Sequence, residues 1–388
     1  CPIRTCPSDP MSLQDQASSA GGILTIDLDA IKANYHQLND RLRDGCTLGA
    51  VVKADAYGLG MARVAPALWS AGCKTFFVAL MHEGLALRAL LPDAQIQVFN
   101  GTDAESAPAM AAAGLIPVLN HPGQIEAWHM EATRLGKSLP AIIHVDTGMT
   151  RLGLDGQEIK ALVEAGKHRD GLNIGTIMSH LACADDADHA MNAHQLENFK
   201  TTLKIMAPLG DLGASLANSS AIFLGDQYHF DLTRPGSALY GITPHGLKDG
   251  TPPNPMAQVI TLQGKILQIR GIDTPSSVGY GATHQAEKGQ KIAIVGVGYA
   301  DGYLRSLSNS ATAILGGIRV PVVGRVSMDL ITLDVTNVPD QVARPGALVD
   351  LIGPDHSVDT LAREAGTIGY EILTALGPRF HQNYLETA

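Results

Sequence analysis

From about residue 45 to 240 the chain repeats one rhythm: a short run rich in β-branched residues, a turn, then an Ala/Leu-rich stretch of helical spacing. Eight such runs stand near Leu48–Val52, Phe76–Ala79, Ile96–Phe99, Ile116–Leu119, Ala141–Val145, Ile174–Met178, Ala214–Ala217 and Asp231–Thr233. Helical patterns lie between them at Met61–Ser70, His82–Leu91, Ala104–Ala113, Gln124–Leu135, Gly156–Ala165 and Leu196–Ala207. Alternating strand and helix makes βαβ units, and these require a parallel sheet with both faces covered. Eight of them in roughly 200–250 residues predict an α/β fold closed as a (β/α)8 TIM barrel. A doubly wound open sheet is the alternative, weakened because no Gly-x-Gly-x-x-Gly follows the first strand.

After about Pro255 the texture changes to alternating apolar and polar residues with glycine turns. VITLQGKILQIR, from Val259 to Arg270, reads as paired strands. Ala313–Val320 carries Gly316-Gly317 between apolar flanks, the signature of a two-residue hairpin. Helical spacing returns at Val358–Ala365 and Tyr370–Leu376. The 388 residues therefore divide into an N-terminal arm over 1–21 with no visible role, a barrel over 22–255 and a mainly-β domain over 256–388. TPPNPM, from Thr251 to Met256, is the expected linker, since clustered proline excludes helix interior and central strand alike.

Charge narrows the partners. Lys and Arg number 28 against 38 Asp and Glu, a formal charge of −10, which leaves nucleic acid and anionic membrane little to gain by binding. No apolar run approaches the ~20 residues of a membrane span. The five cysteines are odd in number and lack Cys-x-x-Cys pairs, so no metal is implied and a reducing cytoplasm is the expected compartment. Two readings of the head CPIRTCPSDP stay open: a segment preceding a true start at Met11, or a processed Cys1 marking an exported protein.

In a (β/α)8 barrel the reactive groups collect where strands end, at the C-terminal face. The first strand ends AVVKADAYG, which puts Lys53 there and Tyr57 in the following loop. Desolvation at a barrel mouth lowers a lysine pKa, turning the amine into a Schiff-base nucleophile or a base near neutral pH. The fifth strand delivers His144, Asp146 and Arg151, and the sixth delivers His180. The seventh ends at Asn218-Ser219-Ser220 and the eighth runs into Arg234-Pro235-Gly236-Ser237. Loops after strands seven and eight are the usual phosphate site of this fold, and Ser219, Gly236 and Ser237 suit it. A lysine, a histidine, two arginines and a phosphate cradle on one rim make a site for a phosphorylated aldehyde cofactor, pyridoxal 5′-phosphate.

The motifs AVVKADAYG, HVDTGMTRLG, SHLACAD, ANSSA, TRPGSALYG, VGYGATH, VGYADGYLR, GRVSMDL and GYEILTALGPR together resemble those of alanine racemase, in order and over nearly all the chain after Gly22. The resemblance implies interconversion of L- and D-alanine by two bases, Lys53, which carries the cofactor as a Schiff base, and Tyr280 on the opposite face. A single base would return the proton to the side it left, so two of reciprocal roles are needed. His180 and Arg234 are implied to support the phenol, with Arg234 against the pyridine nitrogen, where an arginine that keeps its proton disfavours protonation of the ring. Asn218 joins the cofactor set; Tyr57, Ser219, Gly236, Ser237 and Tyr370 fall to the phosphate. Arg151 falls to the phenolic oxygen and the substrate, Met328 to the substrate carboxylate and Tyr299 to the substrate entrance. The resemblance further implies a head-to-tail homodimer in which Tyr280, Tyr299 and Met328 act in trans, with D-alanine destined for peptidoglycan or for breakdown.

Two positions depart from the family pattern. His144 stands where the family often has a carbamylated lysine that positions Arg151, so here Arg151 is held by His144 itself, by a water or by a bound anion. Leu59 stands where histidine is frequent, at the periphery of the site. An amino acid decarboxylase of the same architecture would use a cysteine of the β domain, and all five cysteines precede it. A non-catalytic pyridoxal-binding barrel would lack VGYGATH and GRVSMDL. A broader racemase for serine or basic amino acids remains the alternative.

Overall fold

The computed structural model describes residues 20–166, 171–247, 250 and 252–387. Two compact units emerge: Leu28–Ala257, and a second that joins the residues up to Asp27 to Gln258 and beyond. The first nineteen residues of the expected arm, and Thr251 of the expected linker, lie outside the described residues.

In the first unit seven parallel strands form one sheet in sequence order: Ala50–Val51, Thr75–Val78, Gln95–Val98, Ile116–Leu119, Leu139–His144, Leu172–Met178 and Gly213–Ser215. An eighth, Leu232–Thr233, pairs in parallel with Thr47–Leu48, which leads directly into the first. Backbone bonds from Gly49 N to Thr233 O and from Val51 N to Pro235 O, both 2.9 Å, join eighth strand to first. Arg234 N to Ala217 O, 2.9 Å, joins it to the seventh, so the ring closes as the strand–helix rhythm predicts. All four residues of Thr75–Val78 are buried, as expected of strands covered on both faces. The helix Met61–Ser70 shows the complementary pattern, burying Met61, Val64, Ala65 and Leu68 at i, i+3, i+4 and i+7. A further helix, Leu28–Asn39, was not anticipated; its Asn34 side chain accepts from Ala257 N at 2.7 Å and donates to Leu239 O at 3.2 Å, tying the two ends of this unit together.

The second unit is mainly β and corrects two expectations. VITLQGKILQIR is not a hairpin but one strand, Ile260–Gly271, with burial alternating through Gly264. A turn would need glycine in the left-handed region; Gly264 instead makes room for a neighbour, since a Cβ there would lie 2.5 Å from Val295 Cγ1. The barrel also does not begin at Gly22. Gly22–Asp27 pairs antiparallel with Ile260–Gly264 and parallel with His381–Leu385, and so belongs to the β unit. The Gly316-Gly317 hairpin forms as expected between Thr312–Leu315 and Ile318–Pro321, with φ of 58° and 80° as a primed turn requires. Among the described residues no helix is long and apolar enough to cross a membrane.

Candidate active site

Immediately after the first barrel strand, Ala54, Asp55, Ala56 and Tyr57 all have φ between 52° and 57°. Left-handed backbone costs a non-glycine residue roughly 1–2 kcal/mol, so four in succession require external support. Glu83, opening the helix after the second strand, supplies it. Its Oε1 accepts from Ala54 N at 2.6 Å and its Oε2 from Ala79 N and Leu80 N at 2.8 and 3.0 Å. Asp55 Oδ1 adds a bond from Met61 N at 2.7 Å. The turn leaves Lys53 partly buried, with its pKa lowered by burial first and by Arg151 second, while Glu83 opposes. Glu83 was not singled out from sequence, because its role lies in backbone it meets 29 residues upstream. Leu59 is fully buried core.

The loops after strands seven and eight meet Tyr57. Ser219 Oγ accepts from Gly236 N at 2.9 Å and Ala238 N at 3.2 Å. A Cβ on Gly236 would stand 2.3 Å from Tyr57 Oη, so only glycine lets that hydroxyl in. Ser237 is buried at the start of the short turn Ser237–Tyr240, and Asn218 Oδ1 accepts from Ala221 N at 3.0 Å, closing the turn after strand seven.

Arg234 is buried inside the barrel. Its guanidinium donates to Ser215 Oγ at 2.5 Å and Ser179 O at 2.7 Å, and reaches His180 Nδ1 at 3.5 Å. No ion pair of Arg234 with a carboxylate is found among the described residues, and burial pushes its pKa down to about 9. Burial, Arg234 and Arg151 together hold His180 well below the usual histidine range. His144 is buried as well and lowered to about 4, by burial first, then Arg234 and Arg151. His144, Asp146, Arg151, Ser179 and His180 line one cleft. A larger cleft opens between the loops after strands two, three and four, past Leu80, Asp103 and Gln124, with no Lys or Arg among its lining residues.

The remaining predicted residues lie in the β unit. Tyr280 sits on a turn between Gly279 and Gly281, both at positive φ, and is 74% exposed. Tyr299 and Met328 occupy adjacent loops laced by Tyr299 N to Ser327 O at 3.0 Å and Ala300 N to Met328 O at 2.9 Å. Arg379 ties these loops together, 3.0 Å from Asp301 and 2.8 Å from Asp329. Tyr370 opens the helix Gly369–Ala375.

Comparison with known proteins agrees with both units. The model of the alanine racemase N-terminal domain matches residues 26–244, and that of the alanine racemase C-terminal domain matches 259–384. The alanine racemase of Rhodospirillum rubrum is 52% identical over 375 residues, covering 96% of this chain and 98% of that protein. A catabolic alanine racemase of Mesorhizobium japonicum is 48% identical, covering 95% and 94%. A crystal structure of the Bartonella henselae alanine racemase with covalently bound pyridoxal phosphate is 42% identical, with a TM-score of 0.88 over 94% of this chain and all of that one. The chain belongs to the alanine racemase family.

Proposed function

We propose that this protein is a pyridoxal phosphate-dependent racemase that interconverts L- and D-alanine, for peptidoglycan or for D-alanine breakdown. The observation that carries this reading is the rim of the barrel: an amine of lowered pKa, an arginine buried with no carboxylate partner among the described residues, and a glycine whose absent side chain admits the Tyr57 hydroxyl. These fit the cofactor part by part. Lys53 would hold its aldehyde carbon, Arg234 its ring nitrogen, and Tyr57, Ser219, Gly236, Ser237 and Tyr370 its phosphate, with Asn218 shaping the loop. The bound cofactor supplies an electron sink that makes the Cα proton of alanine acidic enough to leave.

The chain's own groups then move that proton. Lys53 Nζ takes or returns it for one enantiomer and Tyr280 Oη for the other, so neither hand is favoured. Arg234 keeps its proton and limits charge build-up at the ring nitrogen, which restrains side reactions. The 3.5 Å approach of Arg234 to His180 Nδ1 makes that nitrogen an acceptor and leaves the ring proton on Nε2, available to a phenolate. Arg151 and Met328 hold the substrate carboxylate, and Tyr299 borders the entrance.

The protein acts as a head-to-tail homodimer, each β unit serving its partner's barrel. Supporting this, Tyr280, Met328 and Tyr299 are 74%, 54% and 43% exposed within one chain, more than large side chains of a finished site would be. The free thiols of Cys46, Cys73 and Cys183 favour a cytoplasmic location.

Two assays test the reading. Purified protein should convert L-alanine to D-alanine, with L-serine and L-lysine run in parallel to define substrate range. Lys53→Ala and Tyr280→Phe dimers, each inactive alone, should regain about a quarter of wild-type activity when mixed and re-associated, because half the dimers then hold one intact site of two. No conversion of any of the three amino acids would sink the racemase reading, and no recovery on mixing would sink catalysis in trans.

A further inference from the structure

We propose that Gln195 is a positioning residue for proton transfer: from the helix Ala190–Met206 it pins the backbone of His180 and so aims the imidazole that is proposed to support the Tyr280 phenol. The inference rests on the racemase reading and deepens it, naming a residue that serves the site from behind.

The helix itself gives the first sign. Its inward face buries Asn192, Gln195, Leu196 and Phe199 at i, i+3, i+4 and i+7, so two of these four positions carry an amide where leucine would fill the space without a polar group. An unbonded buried amide costs free energy, and Gln195, fully buried, offsets that cost with three bonds to the loops it covers. Ala182 N can only donate and lies 2.9 Å from one end of the amide, so that end is Oε1. The other end is therefore the NH2, 2.9 Å from His180 O and 3.3 Å from Thr147 Oγ1. The side chain pairs with residues 180–182 as a peptide group of a neighbouring strand would.

Two peptide groups flank the Cα of His180, and each is held from a different side. Arg234 donates to Ser179 O at 2.7 Å from inside the barrel, and Gln195 donates to His180 O from the helix. Ser179 N adds a bond to Ser215 O at 3.0 Å. With both peptide planes fixed, the Cα–Cβ bond has one direction, and the ring lines the cleft it shares with Arg151. Gln195 is not among the residues lining that cleft, so it acts through His180. The same amide braces the loop after strand five. Ser179 Oγ spends its proton on Val145 O at 2.8 Å, so in its 2.8 Å contact with Thr147 Oγ1 it must accept. Thr147 in turn accepts from Gln195, which leaves one directed chain from the helix to the end of strand five. Removing Gln195 frees His180 O to turn and swings the ring with it.

The test measures kcat per cofactor-loaded site, so that loss of folded protein does not count. Gln195→Leu keeps the bulk and removes all three bonds; kcat for L-alanine should fall roughly tenfold to a hundredfold, with KM and the affinity for pyridoxal phosphate within about twofold of wild type. Gln195→Glu supplies a readout that packing alone would not move. Its ionised carboxylate sets an acceptor against His180 O, whereas the protonated form imitates the amide with one acceptor and one donor. The ratio of its kcat to that of wild type should therefore rise roughly tenfold as pH falls from about 9 to about 6, the range in which a buried glutamate takes up its proton. Hydrogen exchange on the wild-type holoenzyme needs no variant: the Ala182 amide should be protected although Ala182 itself is exposed. An unprotected Ala182 amide overturns the inference whether or not the variants fold. So does a loaded Gln195→Leu with wild-type kcat, or a Gln195→Glu ratio that stays flat with pH. Racemisation by the same wild-type sample separates the failures: an active wild type with any of these results refutes this inference alone, and a protected amide in an inactive protein refutes the racemase reading on which it rests.

Discussion

Gly236→Ala gives a direct measure of the proposed phosphate cradle. The backbone at 236 has a negative φ, −127°, so the substitution is not forced into the left-handed region, and the prediction rests on the added methyl. That methyl would lie 2.3 Å from Tyr57 Oη and 2.9 Å from Cζ, so the hydroxyl must retreat about 1.1 Å to reach the 3.4 Å of ordinary contact. The Tyr57 ring has little freedom to absorb this. It packs on Tyr240 with centroids 4.8 Å apart, and Tyr240 is itself buried and donates to Val51 O at 2.8 Å. A hydrogen bond of ordinary length stretched by an ångström is lost. Bonds to charged groups contribute about 1.5–3 kcal/mol, so cofactor should bind roughly 10- to 150-fold more weakly. Titration of resolved apoenzyme with pyridoxal phosphate, followed by absorbance, reads this directly. Tyr57→Phe should weaken binding to a similar extent, and the double variant should be little worse than either single one, because both act through one hydroxyl. Wild-type affinity in Gly236→Ala, or additive losses in the double variant, would refute the reasoning.

Two further outcomes follow from the same geometry. Glu83→Ala removes the acceptor for three backbone N–H groups and should destabilise the barrel by about 1–3 kcal/mol in urea unfolding, with faster loss of cofactor on dialysis as the left-handed turn loosens. His144, lowered from 6.5 to about 4, binds a proton more readily in the unfolded chain, so its contribution to stability is present above pH 6.5 and lost as pH falls through 4. Relative to His144→Gln, the wild type should lose up to about 3 kcal/mol across that interval; parallel profiles for the two proteins would exclude it.

Much of the barrel unit is legible locally. Ile116–Leu119, Met61–Ser70 and Gly156–Ala165 occupy the residues that periodicity predicts, because an apolar run between turn residues carries its own instruction to bury. The loops proposed to hold the phosphate are legible for a related reason: strands seven and eight end next to their glycine and serine residues in the chain. The helix Leu28–Asn39 escaped notice because it precedes the strand–helix rhythm by which the others were found.

The sequence by itself determined the strand–helix alternation, the residues at each strand end and the Gly316-Gly317 hairpin, all set by side-chain period and turn chemistry within a few residues. Tertiary structure alone decided that Gly22–Asp27 pairs with Ile260–Gly264 and that Ile260–Gly271 runs unbroken. It also decided that Glu83 braces the turn after Lys53, and that His144 Nδ1 meets Asn120 Oδ1 at 2.7 Å. Each of these depends on partners 20 or more residues apart, where local propensity is silent and the pairing is chosen by which backbone and side-chain groups burial leaves in need of a hydrogen bond.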